Sequence, residues 1–319
     1  MTTRTVRETE HSVEVQAPAD QVYALVADVS SWPQIFPPTI HAESLSRRGD
    51  TEQIQIWATA NGEAKTWTSE RVHDPAALSV SFRQRKSQHP VGGMGGRWVV
   101  EPLSDAHCRV RLLHDFFAAG DDPADLEWIS QAVERNSTSE LGALKAGAEA
   151  SSAGRLFTFE DTVTVQAGAE GVYDFLNDAQ LWSQRLPHVA RVRLEENTPG
   201  LQVLEMDTST KDGSTHTTRS IRVCRPHRSI VYKQIVLPAL MDLHTGRWLI
   251  TPAGPEEVQV SSRHTVQLNR SRISEVLGPD ATVESAQAMV RQALSGNSMT
   301  TLHAAKAHAQ ALAQAPAGS

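Results

Sequence analysis

Three residues of one short segment carry the first chemical signal. Trp67, Ser69 and Arg71 stand at i, i+2 and i+4 of Trp-Thr-Ser-Glu-Arg, so on a β-strand they share one face while Thr66, Thr68 and Glu70 share the other. An arginine on the inward face of a curved sheet is a buried cation, costly unless an acid pairs with it or a ligand uses it. Glu70 and Glu101 are the acids nearest to hand, and alternation argues against Glu70. The pattern recurs as His216, Thr218, Ser220 and Arg222. His188, His216, His244 and His264 are candidates to converge on one site in that half, with His114 its counterpart in the first half. No HExxH or other short metal-ligand spacing accompanies them, so no metal is expected. There is no G-x-S-x-G elbow, and Cys108 and Cys224 have no CxxC spacing and no recognisable partner, which speaks against covalent catalysis, a disulfide framework and a zinc site. The run Gly92 to Gly96 precedes a strand rather than a helix, which makes a turn or β-bulge at a pocket mouth a better reading than a nucleotide loop.

The elements that must position these side chains occur twice. Ser69, Arg71, Val72 and Pro75 match Ser220, Arg222, Val223 and Pro226 at an offset of 151, and Gly96-Arg97-Trp98, Pro102 and His114 match Gly246-Arg247-Trp248, Pro252 and His264 at an offset of 150. Asn136-Ser137, Leu141 and Lys145 match Asn297-Ser298, Leu302 and Lys306 at 161. A 319-residue chain has room for two modest domains, and the repeat divides it into residues 1–150 and 151–319 with a short linker around 151–154. Each half begins with an alternating segment, Glu10 to Gln16 or Phe157 to Val165. A short helix follows, with Val22, Leu25 and Val26, or Val172, Phe175 and Leu176, at helical spacing. Runs of 8–12 residues between turn signals predict a meander of about six antiparallel strands. An Ala-rich helix closes each half, over 123–150 and 281–313; Leu126, Ile129, Val133, Leu141 and Leu144 form its apolar positions in the first. The fold class is α+β: two tandem domains, each a curved antiparallel sheet gripping one long helix and able to enclose an apolar ligand pocket.

Composition narrows the partners. With 37 acidic and 30 basic residues the net charge is −7, and no basic stripe suggests nucleic acid or an anionic membrane surface. No apolar run of about 18 residues and no secretory leader occurs, so a soluble cytoplasmic protein is the default expectation. Seven Trp stand beside seven Phe and only three Tyr, an aromatic balance that asks for a purpose.

The order of elements, with Trp-Pro-Gln-Ile-Phe-Pro-Pro (32–38), Trp-Thr-Ser-Glu-Arg (67–71), Pro-Val-Gly-Gly-Met-Gly-Gly-Arg-Trp (90–98) and the Asn136-Ser137 helix, resembles the aromatase/cyclases of bacterial type II aromatic polyketide synthases. Duplication over nearly the whole chain is similar to their di-domain class. The resemblance implies a helix-grip (START or Bet v 1-like) fold in each half, a poly-β-ketone tethered to an acyl carrier protein as substrate, and no cofactor. It further implies first-ring aldol closure, between C7 and C12, and dehydration in antibiotic biosynthesis, with the ketosynthase and ketoreductase of the same synthase as further partners. Arg71 occupies the family's pocket-arginine position; Arg222 matches it through the repeat, although Thr218 replaces Trp67. Ser69, and by repeat Ser220, are the hydroxyls expected to help move protons. Rigid aromatic walls must fold the chain so that one carbon pair meets. Expected substrate contacts are Trp32, Phe36, Trp57, Trp67, Phe82, Met94, Trp98, His114 and Asn136 in the first half, and Trp182, His216, Trp248 and His264 in the second. Arg47, Arg48, Arg83, Arg85 and Lys86 are the expected basic patch for an acidic carrier. The competing expectation is a non-catalytic module that binds or carries a hydrophobic ligand, since fold alone does not fix function.

Overall fold

The computed structural model describes residues 5–60, 62–87, 89–120, 122–151, 156–209 and 215–315. Contacts divide the chain into Met1–Gly154 and Arg155–Ser319. Most of the expected linker, residues 152–154, lies outside the described residues.

The first unit runs β1 (Arg7–Val15), α1 (Ala19–Ala27), a 3-10 turn at Val29–Ser31, α2 (Trp32–Ile35), β2 (Thr39–Arg48), β3 (Thr51–Ala60), β4 (Glu63–Asp74), β5 (Ser79–Gln84), β6 (Val91–Ser104), β7 (His107–Ala118) and α3 (Pro123–Ser151). Its seven strands form one antiparallel sheet in the order β1-β7-β6-β5-β4-β3-β2. Alternation chooses the face: on β7, Cys108, Val110, Leu112 and Phe116 are fully buried while Arg109 and Arg111 turn outward to Glu14, Glu10 and Glu101. On α3 the buried positions Ile129, Val133, Ser137, Leu141, Leu144 and Ala148 recur every three or four residues, the stripe a helix lays against a sheet. The glycine run is not a loop. It lies inside β6, with a register irregularity between Val91 and Gly93, and at Gly96 an added Cβ would meet Leu113 O at 2.2 Å and the Phe82 ring at 2.6 Å. Glycine is required there because β5 and β7 close over the strand.

The second unit repeats the scheme with β8 (Leu156–Val165), α4 (Ala169–Asn177), α5 (Trp182–Arg185), β9 (Val189–Thr198), β10 (Leu201–Ser209), β11 (Thr215–Arg225), β12 (Ser229–Val236), β13 (Met241–Gly254), β14 (Glu257–Leu268), α6 (Ile273–Leu277) and α7 (Val283–Gln314). The sheet order is β8-β14-β13-β12-β11-β10-β9. A reciprocal capping box, Thr282 Oγ1 accepting from Ser285 N and Ser285 Oγ accepting from Thr282 N, starts α7. Among the described residues no helix is long and apolar enough to cross a membrane.

Candidate active site

Strand register sorts the inward side chains of the first unit. Glu52 on β3 pairs with Arg71 on β4, Ile54 with Ser69, and Ile56 with Trp67. Arg71 pairs onward with Phe82 on β5, Phe82 with Gly96 on β6, and Gly96 with His114 on β7. Glu52, Trp67, Ser69, Arg71, His73, Phe82, Met94, Trp98 and His114 therefore share the concave face. Trp57 does not: it pairs with Thr66 and His41, faces outward and stacks on His41 with ring centroids 5.2 Å apart. Its expected place on the ligand wall is corrected by the period of β3, whose inward residues are Glu52, Ile54, Ile56 and Ala58.

Arg71 is 1 % exposed. Its Nη2 donates to the carbonyls of Val26 at 3.0 Å and Ala27 at 2.9 Å, at the C-terminal, negative end of α1. The guanidinium lies 5.2 Å from the Trp32 ring centroid. Its acid is neither Glu70, which pairs with Arg85, nor Glu101, which pairs with Arg111. It is Glu52, 3.7 Å from Nη1, whose carboxylate also holds His73 Nε2 at 2.9 Å. Burial lowers the Arg71 pKa to about 10, with Glu52 opposing the shift, so the group remains a cation at neutral pH. Nη1 is buried and makes no hydrogen bond among the described residues.

Beyond Arg71 the interior becomes polar. Ser69 is buried and its hydroxyl donates to Arg83 O at 3.1 Å. His114 packs edge-on to Phe82, centroids 5.5 Å apart, and its Nδ1 lies 3.4 Å from Ser137 Oγ on α3. Burial pushes the His114 pKa down to about 4, so the ring is neutral in the working range. On α3, Asn136 is exposed and Ser137 is fully buried; the helical phase that buries Val133 and Leu141 turns residue 137, not 136, to the sheet. One turn on, Glu140 lies towards that side and is half-buried. It has no ion pair among the described residues, and burial raises its pKa to about 7. Sequence reasoning missed Glu140, although the spacing from Val133 through Ser137 to Leu144 places it in phase.

Trp32, Phe36 and Trp98 form one aromatic group, Trp32 edge-on to Phe36 at 5.5 Å and Phe36 at 6.2 Å from Trp98. Trp67 packs beside Ile54, Ile56 and Trp32. Trp67, Phe82, Met94 and His114 are only half-buried although they face inward. A depression of about 510 Å³ is lined by the outward residues Glu70, Val72, Arg83, Arg97 and Asp115 and also reaches Thr9, Phe82, Gly96 and His114; Arg71, Ser137 and Glu140 do not line it. The expected basic patch is partly neutralised, Arg83 by Asp115 at 2.8 Å and Arg85 by Glu70 at 3.3 Å, while Arg47, Arg48 and Lys86 are exposed.

The second unit keeps the arginine and changes its company. Arg222 is 2 % exposed, Nη2 donates to Leu176 O at 2.5 Å, and the Trp182 ring centroid lies 5.3 Å away. Gln202 is the register partner of Arg222 and stands where Glu52 does in the first unit. Ser220 and Thr218 are buried on the same face. His264 Nε2 lies 2.7 Å from Ser298 Oγ and its Nδ1 lies 2.9 Å from His244 Nε2 and 3.3 Å from Tyr232 Oη. Phe159 stacks on His264 at 5.1 Å, and His264 on His244 at 5.2 Å. Burial depresses His264 to about 4 and His244 to about 3. Trp182 and Trp248 belong to the core beside them. His188 and His216 are half-buried, and no described contact brings either to the His244–His264 pair. Among the described residues no group of three or more His, Cys, Asp or Glu is gathered to hold a metal.

Two curved sheets, each gripping a long helix over a buried arginine, define a duplicated helix-grip protein. Residues 6–149 and again 157–310 match the family model "Polyketide cyclase / dehydrase and lipid transport", and the chain belongs to that family. It is 48% identical over 309 residues to the granaticin polyketide synthase bifunctional cyclase/dehydratase of Streptomyces violaceoruber, covering 95% of this chain and 94% of that protein. It is 45% identical over 310 residues to the actinorhodin counterpart of Streptomyces coelicolor, covering 93% and 95%. Among solved structures, the di-domain ARO/CYC BexL of the BE-7585A biosynthetic pathway superposes with a TM-score of 0.91 at 55% identity, over 95% of this chain and 99% of that one. StfQ of the steffimycin pathway gives 0.88 at 36%, over 96% and 100%. The enzyme is a polyketide cyclase and aromatase of the di-domain class.

Proposed function

We propose that the first unit takes a poly-β-ketone tethered to an acyl carrier protein, closes its first ring by aldol addition between C7 and C12, and removes water to aromatise it. The observation that carries this reading is the buried Arg71 guanidinium, a cation whose Nη1 makes no hydrogen bond among the described residues; the half-buried Glu140 on α3, with its pKa raised to about 7 by burial, would supply the carboxyl. A methylene between two carbonyls is already acidic, so a base of pKa about 7 is well matched to it. The Glu140 carboxylate takes a methylene proton and the enolate carbon attacks a ketone further along the chain. Arg71 Nη1 donates to the oxygen on which charge develops, and Glu140 returns the proton to that alkoxide. In dehydration Glu140 takes the second methylene proton as the hydroxyl leaves, and that proton departs with it as water. Neutral His114, linked to Ser137, holds the hydroxyl in place. Phe82, Met94 and Trp67 shape the chain for one carbon pair.

The duplicate supports the first unit as the chamber. In register with the central histidine, Thr9 stands opposite His114 but Phe159 opposite His264. Tyr232 and His244 stand at the repeat positions of Phe82 and Met94, and their rings fill the space over His264. The test is product analysis from a reconstituted minimal synthase with wild type, Arg71→Ala, Glu140→Gln and Arg222→Ala. A defined first-ring product, lost in the first two variants and kept in the third, is expected. The same shunt mixture with and without wild type, alongside stoichiometric binding of finished polycycles, would make the protein a carrier.

A further inference from the structure

Two polar atoms of β1 are left without partners. Thr9 Oγ1 and His11 Nδ1 are both buried, and neither has a hydrogen bond among the described residues. They stand at strand positions i and i+2, opposite His114 and Leu112 of β7, and so share the concave face with His114. The other ring nitrogen of His11, Nε2, is 2.7 Å from Glu134 Oε2 on α3. A carboxylate only accepts, so Nε2 carries the hydrogen and Nδ1 of the neutral ring is left an acceptor. Thr9 keeps a hydroxyl hydrogen to give. One donor and one acceptor, both desolvated and both unused, line the β1 wall beside the proposed reaction chamber.

The second unit shows the same two positions satisfied. Phe159 replaces Thr9 and stacks on His264. Asp161 replaces His11 and accepts from Ser295 Oγ at 2.8 Å, Ser295 being the repeat position of Glu134. The sheet can therefore close this wall with paired or apolar groups, and the first unit does not. Unmade hydrogen bonds in a buried site carry the full desolvation penalty of their atoms, a cost that a ligand with a complementary pair of oxygens removes.

We propose that Thr9 and His11 form a polar subsite for a β-hydroxyketone or enolised 1,3-diketone, Thr9 Oγ1 donating to the keto oxygen and His11 Nδ1 accepting from the hydroxyl. This deepens the function proposed above and rests on the first unit being the chamber. By holding one keto–hydroxyl pair against β1, the subsite sets how far the chain is drawn past Arg71, and hence which carbons meet. Glu134 acts through His11, as a positioning residue that fixes the tautomer.

The experiment uses the full chain as wild type, Thr9→Val and His11→Leu, with 1-phenylbutane-1,3-dione as the probe and butylbenzene as its apolar control. Binding is read by tryptophan fluorescence and stability by urea denaturation. Each variant is expected to weaken diketone binding about threefold to tenfold and leave butylbenzene binding unchanged. Thr9→Val, which is nearly isosteric, is expected to unfold at the same or a higher urea concentration. Unchanged diketone affinity in both variants overturns the subsite, and so does equal weakening for both probes. Lower stability of Thr9→Val with wild-type diketone affinity makes Thr9 a structural residue and also overturns it. Failure of the chamber reading looks different: no first-ring product from wild type in the reconstituted synthase, whatever the diketone titrations give.

Discussion

Arg71 is held by geometry that serves stability and chemistry together, and substitutions can separate the two. Its guanidinium answers Glu52, two helix-end carbonyls and the Trp32 ring at once. Arg71→Ala leaves the 5 % exposed Glu52 with His73 as its remaining partner, and breaking a buried pair on one side costs up to about 3–5 kcal/mol, measurable by urea denaturation. The double variant Glu52→Gln/Arg71→Met removes both charges and is expected to regain most of that stability while still yielding no first-ring product. Recovery of product by the double variant would remove Arg71 from the reaction. Glu140 gives the second prediction at this scale. A base with pKa about 7 is charged above that pH, so turnover is expected to rise as pH increases through about 7. In Glu140→Gln that limb should vanish, with the rate about 10²- to 10⁴-fold lower. A profile that keeps the limb in the variant would assign the titration to another group.

At the scale of elements, the strands and helices were legible because each carries one clean period, and the errors arose where a residue's type was weighed above its phase. Trp57 is expected on the wall as a tryptophan but faces outward, because Ile54, Ile56 and Ala58 fix the inward phase of β3. Asn136 and Ser137 are both candidates for lining through their repeat as Asn297-Ser298, and the phase of Ile129, Val133 and Leu141 turns Ser137, not Asn136, to the buried side. The pairing of Arg71 with Glu52 and the carbonyls of α1 was beyond the sequence, since these partners come from different elements brought together by register and helix docking. The two-residue alternation did place Trp67, Ser69 and Arg71 on one face. Packing at the glycines of β6 tests how tightly those elements set the site. Gly96→Ala puts a methyl against Leu113 O and the Phe82 ring, so β5 or β7 must move. Overpacking of this kind costs about 1–3 kcal/mol, and because the Phe82 ring and the Leu113 carbonyl, next in the chain to His114, are the displaced neighbours, product regiochemistry should broaden as well. Gly142→Ala on α3, with nothing within 4 Å of its Cβ, is the matched control and is expected to stabilise slightly by helix propensity.

Across the whole molecule the duplication preserved the buried arginine and diverged around the central histidine, and the titration of these buried groups connects both halves to one observable. His114, His244 and His264 stay neutral in the fold, with pKa values lowered to about 4, 3 and 4. The unfolded chain protonates them near pH 6.5. Below that pH the unfolded state binds more protons, so stability is lost as pH falls from about 6.5 towards about 4. Glu140 acts in the opposite direction, since its raised pKa contributes stability fully present below about 4.5 and lost as pH rises through about 7. Three histidines outweigh one carboxyl in the acid range. Unfolding free energies from urea denaturation between pH 6.5 and 5 should fall by about 1 kcal/mol per pH unit for each histidine, less the opposing contribution of Glu140. His244→Met installs the residue that the first unit carries at the same repeat position, Met94, and removes one of these titrations. It is expected to flatten the acid slope by about half, because Glu140 already offsets one of the three histidines in this range, and to leave the first unit's ring closure intact. A slope unchanged by His244→Met would mean that His244 is already protonated in the fold, sharing a charge with His264 rather than stacking on it as a neutral ring.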